Sequence, residues 1–185
     1  MNTGIGTEVK RIAIVGPECT GKTDLSCFLA HYYQTSWVPE CARGYIELLN
    51  RPYEKSDLVT IARAQVLLED QLALNAKEIL ICDTNLLVIK IWGEFNYGDC
   101  PAEITEEMMR RKYDLHLLTY VDIPWVDDPQ REHPDKREIL YELYRNELIK
   151  NDINFVEITG SHELRRAAAV NAIGKIMSES HSQHL

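Results

Sequence analysis

The sequence predicts an α/β fold of three layers: a central parallel sheet of five strands with helices on both faces. Three observations predict it. Short apolar runs alternate with helical stretches along the chain. Strands separated by helices of about 10 to 20 residues need right-handed crossovers, which lay the strands parallel and cover both faces of the sheet. The first apolar run, Ile12-Ala13-Ile14-Val15, leads directly into "GPECTGKT" at 16–23, a glycine, four residues and then Gly-Lys-Thr.

Taken in order, the apolar runs predict strands at 11–15, 36–39, 78–82, 115–121 and 154–158. Helical periodicity predicts helices near 22–33, 42–50, 57–76, 86–95, 103–112, 135–150 and 162–177. Asp135 and Glu138 after Pro134 have the spacing of a capping box, and Ser161 after Gly160 has the chemistry of an N-cap. On the helix at 57–76, positions 58, 61, 62, 65, 68 and 72 share one face and all are apolar except Gln65. That lone amide must find a partner, either a substrate carboxamide or hydroxyl or a backbone group. No repeat, low-complexity tract or linker interrupts the pattern. The expected organisation is an N-terminal extension at 1–9, one domain at 10–177 and a polar, flexible tail at 178–185.

With 185 residues and 45% hydrophobic content the chain can build one proper core. A formal charge of -9 disfavours a nucleic-acid partner, whose affinity comes largely from lysine and arginine on phosphates. The five cysteines are odd in number and show no C-x-x-C, which reads as reduced, buried thiols. No stretch resembles a signal peptide or approaches the roughly 18 apolar residues of a membrane span, so a soluble, cytoplasmic protein without a membrane partner is expected. The pattern fixes no oligomeric state.

The loop at 16–23 has the form of a phosphate cradle. Gly16 and Gly21 let the chain wrap with its amides inward, where they and a helix N-terminus meet a polyphosphate. Pro17, Glu18, Cys19, Thr20 and the following Asp24 complete the expected nucleotide contacts, with Glu18 pointing outward to solvent. Lys22 is expected on the β- and γ-phosphates of ATP and the Thr23 hydroxyl on Mg²⁺. A GTPase should also carry an N-K-x-D guanine reader, which "NAKE" at 75–78 does not supply. A ring-forming motor needs a longer module. A small nucleoside or nucleotide kinase fits the length.

Ligands of an open α/β sheet bind beyond the carboxyl ends of its strands. The second strand ends at Glu40, followed by Arg43, and the third at Asp83-Thr84-Asn85. Glu40 is expected as the base for the attacking hydroxyl and Asp83 as a ligand of Mg²⁺-bound water, with an exchange of these two roles left open. Arg43, Gln65, Thr84 and Asn85 are further candidates for the acceptor site. "IWGEFNYG" at 91–98 places Trp92, Phe95 and Tyr97 beyond the Asp83 strand, where no more than one of the three is expected to stack on a planar, preferably cationic, ring. "DIPWVDDPQREHPDKR" at 122–137 is long for a connection and suits a lid, with Arg131 and Arg137 neutralising transferred charge and Asp127 and Asp128 holding substrate hydroxyls.

Together "GPECTGKT", "VPECAR", "CDTN", "IWGEFNYG", "YDLHLLTYVDIPWVDD" and "HPDKR" resemble the ribosylnicotinamide kinase domain of NadR-type proteins, within the P-loop kinase superfamily and AAA_28-like. The resemblance covers about residues 10–175. It implies a P-loop NTPase fold with a lid between the fourth strand and the next helix. It also implies transfer of the ATP γ-phosphate to the 5′-hydroxyl of nicotinamide riboside, with Trp125 among the aromatic and lid residues around that nucleoside. The alternatives are a kinase for another nucleoside or nucleotide, or an ATP-sensing binding module without an acceptor. Cys41 departs from the family's usual tyrosine, and no H-x-G-H of an adenylyltransferase half is present, so dinucleotide synthesis by this chain is not expected.

Overall fold

A computed structural model describes residues 9–182. The expected extension therefore lies outside the described residues except for Val9, as does the end of the tail at 183–185. The strands are β1 (Lys10–Val15), β2 (Trp37–Val38), β3 (Ile79–Asp83), β4 (Leu115–Thr119) and β5 (Phe155–Ile158). The helices are α1 (Lys22–Tyr32), α2 (Cys41–Leu48), α3 (Asp57–Ala73), α4 (Leu86–Tyr97), α5 (Ala102–Arg110), α6 (Arg137–Lys150) and α7 (His162–Ser182). All five strands pair in parallel in the order β2-β3-β1-β4-β5. The α/β fold expected from the sequence is the fold observed. The main differences lie at element ends: β4 stops at Thr119, where the chain leaves for the lid, and α7 continues to Ser182, past the start of the expected tail.

Parallel strands covered on both faces must be apolar where they are covered, as the second part of β1 is. Ile12, Ala13, Ile14 and Val15 are all 0% exposed. Alternate residues feed two cores. Ala13 and Val15 meet α3, α4 and α6 through residues such as Leu58, Leu87 and Leu140, while Ile12 and Ile14 meet α1 and α7 through Leu29 and Ile173. Each such large side chain contributes about 1.5 to 3 kcal/mol of burial free energy. Chain order reverses on either side of β1, between β3 and β4, and this opens a crevice at the carboxyl ends of the strands.

At the opposite end of the sheet Glu69, 1% exposed, accepts from Arg11 (2.8 Å), Arg111 (3.0 Å) and the Tyr113 hydroxyl (2.7 Å). A buried carboxylate survives only with such partners, and this one ties α3 to β1 and to the approach to β4. It gave no signal as a core residue in the sequence.

The capping box expected at Asp135 does not form. Pro134–Lys136 is a 3-10 turn, α6 starts at Arg137 without a side-chain cap, and the Glu138 carboxylate instead accepts from the Tyr120 hydroxyl at 3.2 Å. The Ser161 cap does form, its hydroxyl accepting from the Leu164 amide at 3.4 Å. Of the cysteines expected to be buried, only Cys82 is fully so; Cys27 is exposed, Cys19, Cys41 and Cys100 are half-buried, and all five are free thiols. Cys27 stands on the outer side of α1 and Cys19 faces the lid, so neither reaches a core.

Among the described glycines, Gly16 is the most closely approached. Its φ is +136°, and a Cβ there would lie 2.6 Å from Thr119 Oγ1 and 2.7 Å from the Thr119 carbonyl oxygen. Gly16→Ala is expected to cost about 2 to 4 kcal/mol through strain and displacement of β4, read as a lower denaturant midpoint; an unchanged midpoint would refute the close approach.

Candidate active site

The loop between β1 and α1 ends in Gly21 at φ +76°, and no side chain caps the first turn of α1. Its leading amides are therefore available to an anion. Lys22 folds back over the loop and donates to the Pro17 carbonyl at 2.7 Å. The Thr20 hydroxyl turns into the wall, donating to the Pro17 carbonyl (2.8 Å) and pairing with Thr119 Oγ1 (2.7 Å), so only the Thr20 backbone can serve a ligand. Asp24 sits at the rim, where it accepts from Arg166 (3.1 Å) and approaches His162 (3.3 Å).

Arg165, on the first turns of α7 and 3% exposed, pins this loop. It donates to the carbonyls of Thr20 (2.8 Å), Tyr120 (2.8 Å) and Gly160 (2.9 Å) and pairs with Asp122. The sequence analysis missed it. Its only signal was an arginine close behind the Gly-Ser helix start, which reads as a surface charge.

The two strand-end carboxylates occupy different environments. Asp83 is 1% exposed. Burial raises its pKa to about 6, with the Thr23 hydroxyl opposing, the Glu40 charge adding to the rise, and Lys22 and Ser26 opposing again. Its Oδ1 has no hydrogen-bond partner among the described residues. Glu40 is half-buried at the N-cap position of α2 and makes no capping bond of its own. The turn that carries it is held by Gln65, which accepts from the Cys41 amide (2.8 Å) and donates to the Pro39 carbonyl (3.4 Å). Of the two fates open to Gln65, the backbone partner is the one realised, and Gln65 does not reach the cavity.

Thr84 and Asn85 do not reach it either. Thr84 takes φ +72°, a strained value for a β-branched residue, while its amide donates to the Ile14 carbonyl at 3.0 Å. Asn85 caps α4 through the Leu87 amide (3.1 Å) and its amide nitrogen meets His116 Nε2 at 3.0 Å. Both shape the corner beside Asp83.

A cavity of about 330 Å³ lies beside these parts, with the loop from Gly16 to Asp24, Glu40, Arg43, Trp92, Phe95 and Arg131 on its walls; Asp83 does not line it and sits behind Thr23. Two of the three aromatics of 91–98 thus face it. Tyr97 does not, since its hydroxyl lies 3.5 Å from the Tyr53 carbonyl. Tyr144, buried on α6 and on the cavity wall, was also missed; its phenol pKa is driven up by burial first and then by the charges of Glu40 and Glu18.

The connection at 120–136 lies against the loop. Glu18 does not point to solvent as expected: its carboxylate accepts from the amides of Glu132 (3.0 Å) and His133 (3.3 Å). Cys19 Sγ accepts from the Val126 amide (3.2 Å) and Arg131 Nη1 (3.3 Å), and Arg137 donates to the carbonyls of Ile123 (2.9 Å) and Cys19 (3.3 Å). Arg131 and Arg137 lie 6.0 and 5.6 Å from the Trp125 ring centroid. Trp125, Asp127 and Asp128 were expected at the substrate and do not line the cavity. Trp125 donates to Asp127 at 2.8 Å, and Asp128 pairs with Arg43 at 3.1 Å, so these side chains satisfy one another.

No cluster of three or more His, Cys, Asp or Glu that could hold a metal exists among the described residues, so a cation here would depend on nucleotide oxygens. Thr23 and the unpartnered oxygen of buried Asp83 suit Mg²⁺ held in that way. No helix among the described residues is long and apolar enough to cross a membrane.

A central strand delivering Gly-x4-Gly-Lys-Thr to an open helix N-terminus, in a five-stranded parallel sheet, defines the P-loop fold of nucleotide-binding proteins. Within it, this chain belongs to the AAA domain family AAA_28, whose model matches residues 11–165. Among curated proteins it is similar to the trifunctional NAD biosynthesis/regulator protein NadR of Salmonella typhimurium, at 23% identity over 180 residues. The NadR of Escherichia coli matches at 24% over 181 residues. Each alignment covers 92% of this chain, which spans only 43% of those relatives' length. Among solved structures, NadR protein in complex with NR superposes with a TM-score of 0.78 at 20% identity, covering 92% of this chain and 52% of that one. Thymidylate kinase from Ehrlichia chaffeensis gives 0.63 at 14% identity, covering 89% and 98%.

The Asp83 carboxyl keeps its proton to about pH 6 in the folded protein, whereas an ordinary aspartate releases it near 3.8. Ligand-free stability should therefore fall as pH rises through that window and stay low above it. Asp83→Asn is expected to remove this slope and to raise ligand-free stability at pH 7 by about 1 to 3 kcal/mol. Melting curves at about pH 4.5 and 7 check it, and a variant less stable than the parent at both values would contradict it.

Proposed function

We propose that this protein is an ATP-dependent kinase that transfers the γ-phosphoryl group to the 5′-hydroxyl of nicotinamide riboside, giving nicotinamide mononucleotide and ADP. One observation carries the reading: the phosphate loop and a wall holding a carboxylate and two aromatic rings, Glu40, Trp92 and Phe95, open onto the same cavity. The similarity to NadR over 92% of the chain supports the choice of acceptor.

The loop amides and the start of α1 bind the polyphosphate, and Lys22 leaves the Pro17 carbonyl for the β- and γ-phosphates. Bound Mg²⁺ would neutralise charge on the phosphate oxygens, with Thr23 and Asp83 holding it or its water. Glu40 accepts the proton of the attacking hydroxyl as the acceptor oxygen bonds to the γ-phosphorus, and the bond to the bridging oxygen breaks with its electron pair on the ADP β-phosphate. Arg131 turns from Cys19 toward the transferred group. One of Trp92 and Phe95, both on the cavity wall, stacks on the pyridinium ring, which favours a cationic nucleoside over a neutral one.

A different nucleoside or nucleotide as acceptor is the second reading. It is favoured by the match to thymidylate kinase, whose whole length this chain nearly covers. Mg-ATP with nicotinamide riboside and a panel of other nucleosides and nucleotides separates the two. Phosphorylation of nicotinamide riboside above all others is expected, preference for another member selects the second reading, and ATP consumption at background with every member would leave an ATP-sensing module.

Lys22→Ala is expected to reduce transfer by at least about a thousandfold while the ligand-free melting temperature stays close to the parent's, since Lys22 makes a single bond to its own loop. A large drop in that temperature would show that the lysine is structural.

A further inference from the structure

Tyr53, on the connection between α2 and α3, lies outside the cavity wall, and the sequence analysis gave it no role. Its hydroxyl uses every hydrogen-bonding position that a phenol has. It donates to Glu132 Oε2 at 2.7 Å and accepts from Trp92 Nε1 and Asn96 Nδ2, each at 3.1 Å. The ring packs on Trp92 with centroids 4.7 Å apart. Asn96 reaches the lid as well, its Oδ1 accepting from His133 Nε2 at 2.9 Å. The bonds of Glu132 divide: its amide donates to Glu18 of the phosphate loop, and its side chain accepts from Tyr53. One lid residue therefore bridges the donor loop and the aromatic wall.

We propose that Tyr53 and Glu132 are positioning residues acting as one unit: their hydrogen bond holds the Trp92 indole, and the lid above it, in register with the phosphate loop, and so sets affinity for the acceptor rather than for ATP. The kinetic part rests on the kinase reading; the geometric part does not. Trp92 is the cavity-lining member of the set that hangs directly from the Tyr53 hydroxyl, so loss of that oxygen frees the indole and leaves Glu132 only the longer bond from Asn96 Nδ2 at 3.4 Å. The Glu132 amide is a backbone group, so its bond to Glu18 survives any side-chain change.

The test is kinetic and spectroscopic. With nicotinamide riboside and Mg-ATP, Tyr53→Phe and Glu132→Ala should each raise the acceptor KM about fivefold to tenfold and leave the ATP KM within about twofold. Because both remove the Tyr53–Glu132 bond, the double variant should raise the acceptor KM by less than the product of the two single effects. Glu132→Gln, whose amide oxygen can still accept from Tyr53, should return the acceptor KM to within about twofold of the parent. Effects that multiply in the double variant, or an ATP KM rising in step with the acceptor KM, would overturn the proposal. Independently of any acceptor, the Trp92 indole N–H resonance, assigned by its loss in Trp92→Phe, should move upfield and exchange faster with water in Tyr53→Phe. An unmoved resonance would sink the proposal. A parent protein that phosphorylates no nucleoside fails the kinase reading, and the resonance then decides the positioning claim.

Discussion

The site depends on a close approach of two backbones. β1 must pass into α1 within van der Waals distance of Thr119, the last residue of β4, and only a residue without Cβ can stand there. That contact sets where the loop amides point. The amides themselves are a liability, since the loop leaves donors at the head of α1 uncapped. The surrounding carbonyls are satisfied instead by a buried guanidinium: Arg165 takes those of Thr20, Tyr120 and Gly160 at once and brings Asp122 as its counter-charge. The acceptors are thus tied into the scaffold while the donors stay free, and this asymmetry gives the loop its preference for anions.

The same logic separates the two carboxylates. A buried aspartate with one orphaned oxygen is costly unless a cation completes it, so Asp83 fits the metal side of the proposed reaction. Glu40 is half-buried on a turn held by the Gln65 amide and lines the cavity, so it fits the acceptor side. Environment, not residue type, divides their proposed roles. Gln65 contributes by fixing the turn that aims Glu40, which explains an amide on an otherwise apolar helical face.

Period and punctuation made the fold legible. Fully apolar strands, helices spaced between them and the Gly-Lys-Thr loop left little freedom for the sheet, because parallel connections have one hand. The donor side of the site was legible for the same reason: its function is carried by backbone, and glycine spacing reports backbone. The acceptor side was less so. Asp127, Asp128 and Trp125 were credible ligands by chemistry, yet they pair with Arg43 or with one another, and a sequence cannot show which charges find each other first. Glu18 illustrates the same failure: solvent was its expected partner, and two lid amides took it. Arg165, Tyr144 and Tyr53 were invisible because each holds its place mainly through contacts 39 or more residues away or, in Tyr144, through burial alone.

The lid and the loop differ in how firmly they are held, and the difference matters for the proposed reaction. None of the residues at 121–136 is fully buried. The lid is fastened by many modest bonds: amides to Glu18, a sulfur acceptor at Cys19, and guanidinium groups resting on carbonyls and on Trp125. Bonds of this kind are each worth about 0.5 to 1.5 kcal/mol and exchange readily with water. The loop beneath is anchored by Arg165 and by the Thr20–Thr119 pair, both fully buried. Opening free energies in one protein follow such differences in burial. In the proposed reaction the lid lifts to admit ligands while the phosphate loop keeps its shape, and each lid residue that binds both loop and wall carries the position of one to the other.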